Sequence, residues 1–218
     1  MNTTIILTST VNINPTKWFL FQRDKNDRLE LYLKSVLQWL TKTNFKIVLV
    51  ENSGYNYDEL NKEKELYKDR FEVITFLEGE LEESKYLTDI PHKGASEIFS
   101  INYGFHKSKI ITSSNFIIKI TARYFIPGLE DYLKNYDLNE YDCLTQNTRI
   151  RCEMVGSHRK NFDHIFNIHT FSKNGQYICH IESLYEERTS EYTRILICDS
   201  FEIEPTQMGG IEQINATI

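Results

Sequence analysis

Four short apolar runs, rich in β-branched residues, recur along the first 135 residues, each followed by a turn and a segment of helical character. They are Thr4–Leu7, Phe45–Val50, Phe71–Phe76 and Phe116–Ile120. Apolar runs this short, bounded by turn residues, read as buried strands rather than helices. Between the first two lies the clearest helix: Leu29, Leu33, Val36, Leu37 and Leu40 form the apolar stripe of a surface helix, with Asp27 as its N-cap. A polar helix is expected near Tyr57–Tyr67, then an acidic loop over Glu78–Ser84. An amphipathic helix carrying Ile98, Ile101, Tyr103 and Phe105 follows, capped by Ser96, and another begins after Gly128. Strand and helix in strict alternation predict an α/β fold, a mostly parallel sheet flanked by helices.

The last 80 residues lose that rhythm. Short strands are expected at Cys143-Leu144, Met154-Val155, His169–Phe171 and Arg194–Cys198, with a helix over His180–Arg188, a turn at Lys173-Asn174-Gly175 and a tight loop at Pro205–Gly210. No repeat or Gly/Ser-rich linker divides the chain, so residues 1–218 are expected to form a single domain with a regular half, 1–135, and a less regular half, 136–218. A hydrophobic content of 40% suffices for a substantial core, and a net charge of −6 argues against nucleic acid as the partner. Cys143, Cys152, Cys179 and Cys198 have neither CxxC nor zinc-like spacing, which fits reduced buried thiols. The opening MNTTIILTSTVN lacks the basic region of a signal peptide, and no run approaches the roughly 18 apolar residues of a membrane span. A cytoplasmic protein is expected.

In a parallel sheet the carboxyl ends of the strands meet along one edge, where open α/β sheets bind their ligands. Three polar strand ends would converge there: Thr8-Ser9-Thr10, Glu51-Asn52-Ser53 and Thr121-Ala122-Arg123. Their hydroxyls, amide, carboxylate and guanidinium suit a nucleotide's base, ribose and diphosphate. Lys119 and Arg123 bring fixed positive charge, and Lys93-Gly94 at a helix start adds a cation and backbone N–H donors for an anion.

This pattern resembles the nucleotide-binding half of GT-A-fold glycosyltransferases. A Thr/Ser-rich first loop, an acid or amide after the second strand, a Lys-Gly entry to a helix and a strand running through Pro into a helix all have counterparts in residues 3–135. The wording KITARYFIPGLE is also similar to sugar transferases of large algal viruses (chloroviruses), which would place the protein in a host cytoplasm. The resemblance implies a GT-A-like, Rossmann-like fold, with residues 1–135 binding the nucleotide sugar and 136–218 holding the acceptor. It also implies transfer of a hexose or deoxyhexose, rhamnose or glucose among them, from a UDP-type donor to a glycan. One departure is plain: the family's metal-binding Asp-x-Asp is replaced by Thr121-Ala122-Arg123. Divalent manganese or magnesium is therefore an open question. Lys119 or Arg123 offers charge in its place, and Glu78-Gly79-Glu80 is the weak alternative ligand pair.

For the catalytic groups the candidates are Arg123, facing the diphosphate, and two carboxylates of the second half. Glu153 stands beside Arg151, and Glu182 follows the less polar Cys179-His180-Ile181, a setting suited to a general base. Two alternatives stand beside this reading. A sugar nucleotidyltransferase would carry a Gly-rich loop after its first strand, and TSTVNINPTK has no glycine. A non-catalytic nucleotide-sugar-binding module would explain the missing aspartates.

Overall fold

The computed structural model describes residues 2–18, 20–147 and 151–218. In chain order it contains β1 (Thr3–Ser9), α1 (Lys25–Lys42), β2 (Lys46–Glu51), α2 (Asn61–Leu66), β3 (Phe71–Thr75), α3 (Lys93–Lys107), β4 (Phe116–Thr121) and α4 (Leu129–Leu133). The second half adds β5 (Cys143–Thr145), β6 (Met154–His158), α5 (Phe162–Ile165), α6 (Ile181–Thr189), β7 (Ile195–Ile197), β8 (Glu202–Gln207) and β9 (Ile214–Thr217). Seven strands form one sheet in the order β3-β2-β1-β4-β6-β5-β7, and β8 pairs with β9 in a separate hairpin. The first four run parallel, β6 lies antiparallel between β4 and β5, and β7 is parallel to β5.

Period-two alternation assigns the side chains to two cores. Ile5, Leu7, Ile47, Leu49, Ile118 and Ile120 pack on the face covered by α1, with Tyr32, Val36, Trp39 and Leu40 of that helix. Ile6, Val48, Val50 and Ile117 point the other way, onto Ile98, Phe99 and Ile101 of α3 and onto α5 and α6. Each such side chain removed from water contributes about 1.5–3 kcal/mol, so both faces are strongly specified. Lys119 follows Ile118 and therefore falls on the α3 face beside Ile117. α3 lies close on β2 because Gly104 has no side chain: a Cβ there would come within 2.4 Å of Val50 Cγ2.

The α/β sheet with flanking helices is as expected, and several boundaries move. α1 begins at Lys25, and its cap is Asp24, whose carboxylate accepts from the backbone N–H groups of Asn26 and Asp27 at 2.8 and 3.0 Å. α3 begins at Lys93 after His92, so Ser96 lies inside the helix instead of capping it. The segment expected as a helix over 57–67 splits into a 3-10 turn, Asp58–Leu60, and the short α2. Beyond the acidic tract, Glu82–Asp89 winds into 3-10 turns. His169–Phe171 forms no strand; Phe171 makes only an isolated bridge to Tyr177. The Pro205–Gly210 loop is instead part of the β8–β9 hairpin, where alternating exposed residues hid the strand pattern. Among the described residues no helix is long and apolar enough to cross a membrane.

Candidate functional site

The strand order reverses at β1. Its continuation leads outward to β2 and β3 on one side, while β4 is added on the other. In open α/β sheets such a reversal is where a crevice forms at the strands' carboxyl ends, here those of β1 and β4, where Thr8 pairs in register with Thr121. Both hydroxyls donate to one carboxylate oxygen of Glu97, at 3.0 and 3.3 Å. Glu97 stands on the second turn of α3, and the Lys119 ammonium meets the same oxygen at 2.6 Å. Lys119 also donates to the Cys152 carbonyl at 2.6 Å and to Thr121 Oγ1 at 3.2 Å. Burial alone would raise the Glu97 pKa, but the Lys119 charge and these hydrogen bonds outweigh it, leaving the carboxyl below its ordinary value. Burial would likewise lower Lys119, and Glu97 reverses that, so its pKa rises. The pair is ionised and mutually neutralising.

Glu97 was not foreseen from the sequence. A signal existed: a lysine on the helix-facing side of an otherwise apolar strand requires a buried anion, and α3 is the nearest helix. The same geometry corrects the expectation for Lys119. Its side chain is 0% exposed, so it belongs to the floor of the crevice and is not free to meet a phosphate.

The ends of β1 and β2 are joined by a second network. Glu51, wholly buried, accepts from Ser9 Oγ at 2.6 Å, from the Ser53 N–H at 2.8 Å, from the Val11 N–H at 3.2 Å and from the Ser53 hydroxyl. Burial raises its pKa, against the pull of those donors. Thr10 donates to Asn52 Oδ1 at 2.6 Å, and Asn52 Nδ2 reaches Glu78 at 3.4 Å. Glu78 in turn pairs with buried Lys17 at 2.7 Å, whose ammonium also donates to the carbonyls of Leu87 and Ile90. These contacts tie together the loops after β1, β2 and β3. They also remove Glu78 from the role of metal ligand, because Lys17 already neutralises it, while Glu80 is exposed to solvent. Among the described residues no three His, Cys, Asp or Glu side chains come together as a set able to hold a metal ion.

Lys93, at the start of α3, lies on the exposed lip. Crowding around its ammonium lowers its pKa and Glu97 opposes that, with Arg123, Cys152 and Glu182 also within electrostatic reach. The residue is exposed, which leaves its side chain within reach of a phosphate oxygen. Gly94 beside it serves a different purpose from the one expected. A Cβ there would come within 2.9 Å of Ile181 Cβ, so the glycine lets the starts of α3 and α6 touch. Glu182, half-buried in the first turn of α6, accepts from the Cys152 thiol at 3.3 Å. Burial pushes that thiol's pKa well up. Glu153 is buried and held by Arg151 at 3.1 Å, so its charge is matched.

Arg123 departs furthest from expectation. It is 8% exposed; its guanidinium donates to Gln22 Oε1 and to the Gln207 carbonyl, each at 3.3 Å. Gly209 lies against it so closely that a Cβ there would be 2.6 Å from Arg123 Nη2. Gly209 thus lets the hairpin close over the arginine. A cavity of about 510 Å³ lined by Phe21, Asp27 and Gln207 and one of about 260 Å³ lined by Lys34, Arg123 and Thr206 lie along α1. Neither is lined by Thr8, Glu97 or Thr121, which converge at the carboxyl ends of β1 and β4 instead.

No protein-family model matches the sequence, and no curated protein matches it. Solved structures do. GlyE, a glycosyltransferase of Streptococcus pneumoniae TIGR4, aligns over 89% of this chain with a TM-score of 0.54 and 8% identity. An active-site mutant of LgtC aligns over 89% with a TM-score of 0.52 and 8% identity, and this chain covers 72% of it. S. aureus TarS aligns over 91% with a TM-score of 0.51 and 11% identity. The chain spans 44% of the GlyE structure and 58% of the TarS structure. The narrower likeness to algal-virus sugar transferases finds no support among them. At these identities the similarity is one of fold: the α/β sheet expected from the strand–helix rhythm, GT-A-like as the resemblance implied, is the fold the chain has.

Proposed function

We propose that this protein is a glycosyltransferase that moves a hexose or deoxyhexose from a UDP-type nucleotide sugar to a glycan acceptor. The observation that carries the reading is the crevice at the strand reversal, where Thr8, Thr121 and Glu97 meet over Lys119 and Lys93 stands exposed at the lip. The brace formed by Ser9, Thr10, Glu51, Asn52 and Ser53 gives the nucleotide end of the donor a rigid seat. The diphosphate then lies toward Lys93 and the first N–H groups of α3, with the charge of Arg123 acting from beneath the hairpin.

In the reaction the acceptor hydroxyl attacks the anomeric carbon. The bond from that carbon to the diphosphate oxygen breaks, and its electron pair leaves with the diphosphate, whose new charge Lys93 offsets. The acceptor's proton passes to Glu182, a half-buried carboxylate next to Ile181, whose side chain packs on Gly94 at the start of α3. Glu97 suits that task less, because Lys119 holds its proton affinity down. The ionised Lys119–Glu97 pair instead fixes the two threonine hydroxyls that border the donor.

The test is a thermal-shift titration against UDP, GDP, CMP and their sugars. A saturating UDP ligand at a hundredfold excess over its Kd stabilises the folded state by about 2.7 kcal/mol. Stabilisation by none of these nucleotides would overturn the proposal. The second reading, a module that binds donors without turnover, draws on the absent aspartates; hydrolysis of any bound nucleotide sugar excludes it.

A further inference from the structure

Outside the crevice the most unusual surface is a row of exposed aromatic rings along its lip. Trp18 is 55% exposed, Tyr177 42% and Phe171 54%. They are linked through His92: Trp18 lies 5.0 Å from the His92 ring, His92 6.0 Å from Tyr177, and Tyr177 5.9 Å from Phe171. Successive rings are turned by 78°, 44° and 73°, so faces and edges alternate along the row.

The row is held by the fold at both ends. The Trp18 backbone N–H donates to the Pro91 carbonyl at 2.8 Å, which ties the main chain beneath that ring to the entry of α3. At the far end, the Ile178 N–H donates to Thr170 O and the Ser172 N–H to Gln176 O, closing a small hairpin around Phe171 and Tyr177. The Lys173 N–H donates to Glu187 at 2.8 Å, and Arg188 clamps the carbonyls of Ile165, Asn167 and His169. Large apolar rings kept in water on a braced support mark a ligand surface whose ordering cost has already been met.

We propose that these four rings are the platform on which a chain of sugar residues lies as acceptor. The inference deepens the proposed function and rests on it for the word acceptor. Three features favour a saccharide. Aromatic faces pack against the C–H faces of pyranose rings, while the Tyr177 hydroxyl offers a polar edge to the sugar hydroxyls. Three ring-to-ring steps carry the row beyond the width of one pyranose, so it fits an oligosaccharide better than a monosaccharide. The row also runs directly into the crevice, since His92 precedes Lys93 and the hairpin leads into α6 and Glu182.

The sequence has two tryptophans, and Trp39 is wholly buried, so iodide quenching of tryptophan fluorescence reports on Trp18. The probes are maltose, cellobiose, chitobiose and laminaribiose with their tetramers and hexamers. At least one series is expected to protect Trp18 from iodide, with affinity rising at least tenfold from dimer to tetramer. Saturation-transfer NMR should then show contact with Tyr177 lost in Tyr177→Ala, and Trp18→Ala should weaken binding at least tenfold while Trp18→Phe keeps most of it. Melting temperature and the UDP shift of each variant should stay at the parent level. Protection by no series in a protein that binds UDP overturns the platform, as does unchanged sugar affinity in the Trp18→Ala/Tyr177→Ala double variant. Loss of a dimer in that double variant, seen by light scattering, also overturns it by assigning the rings to self-association. Sugar binding without any nucleotide response leaves the platform standing and removes the proposed transferase.

Discussion

At the scale of single residues, the floor of the crevice is an ion pair placed where water reaches poorly. Lys119 is 0% exposed and Glu97 20%. Removing one partner strands the other's charge, so Glu97→Gln is expected to cost about 3–5 kcal/mol by chemical denaturation. Lys119→Met/Glu97→Gln should recover much of that loss, and additivity of the two single changes would refute the coupling. The pH dependence has two limbs. Glu97 titrates below its ordinary 4.5 when folded, so its stabilisation is present above that value and disappears as the pH falls through the folded pKa. Lys119 titrates above its ordinary 10.5, so its share holds below that value and disappears as the pH rises past the folded pKa. In the double variant both limbs should flatten. Arg123→Ala is expected to lower stability by about 1.5–3 kcal/mol through loss of charge-assisted hydrogen bonds to Gln22 and Gln207. An unchanged melting temperature with weakened UDP binding would instead return the guanidinium to the donor. Glu182→Gln should slow transfer about 10²–10⁴-fold while leaving the UDP shift intact. The places of the threonines at strand ends and of Lys93 at a helix start were legible in the sequence because such ends announce themselves by turn chemistry. Glu97 was not, because a carboxylate one turn inside an amphipathic helix looks like any solvated charge until the strand beneath it is known.

At the scale of elements, the junction of α3 with α6 decides the shape of the crevice. Gly94→Ala pushes a methyl to 2.9 Å from Ile181 Cβ. Overpacking of this kind costs about 1–3 kcal/mol, and the two helix starts must separate to relieve it. The expected result is a lower melting temperature together with a smaller UDP shift, both partly restored by Ile181→Ala; a Gly94→Ala protein that melts like the parent would show that the contact is slack. The β strands of the first half were legible because apolar, β-branched runs of that length have few other uses. β8 and β9 were not: with burial at Ile203, Thr206 and Asn215 among exposed neighbours, their pattern follows packing against the rest of the molecule and not their own composition. The cap of α3, expected at Ser96, was misjudged for a related reason. Lys93, Gly94 and Ala95 carry no apolar stripe, and Gly94 fits against a helix nearly 90 residues away in the chain.

At the scale of the whole molecule, the two halves share one sheet. β6 is inserted between β4 and β5, and Lys119 from the first half donates to the Cys152 carbonyl of the second. One cooperative unfolding transition is therefore expected, with calorimetric and van't Hoff enthalpies in agreement. Two resolved transitions would mean that residues 1–135 fold without the remainder. The inserted strand also has a consequence for a chain made from its amino end. When the ribosome has released β4 but not β6, the growing polypeptide displays one flank of its central strand with every hydrogen-bonding group of that side unpaired. That interval spans the time needed to synthesise the residues between Thr121 and His158, seconds at ordinary translation speeds. During it the nascent chain offers a template to any passing strand. A stall or premature stop in this window would leave a product primed for aggregation, and shielding by a ribosome-bound chaperone would matter most there.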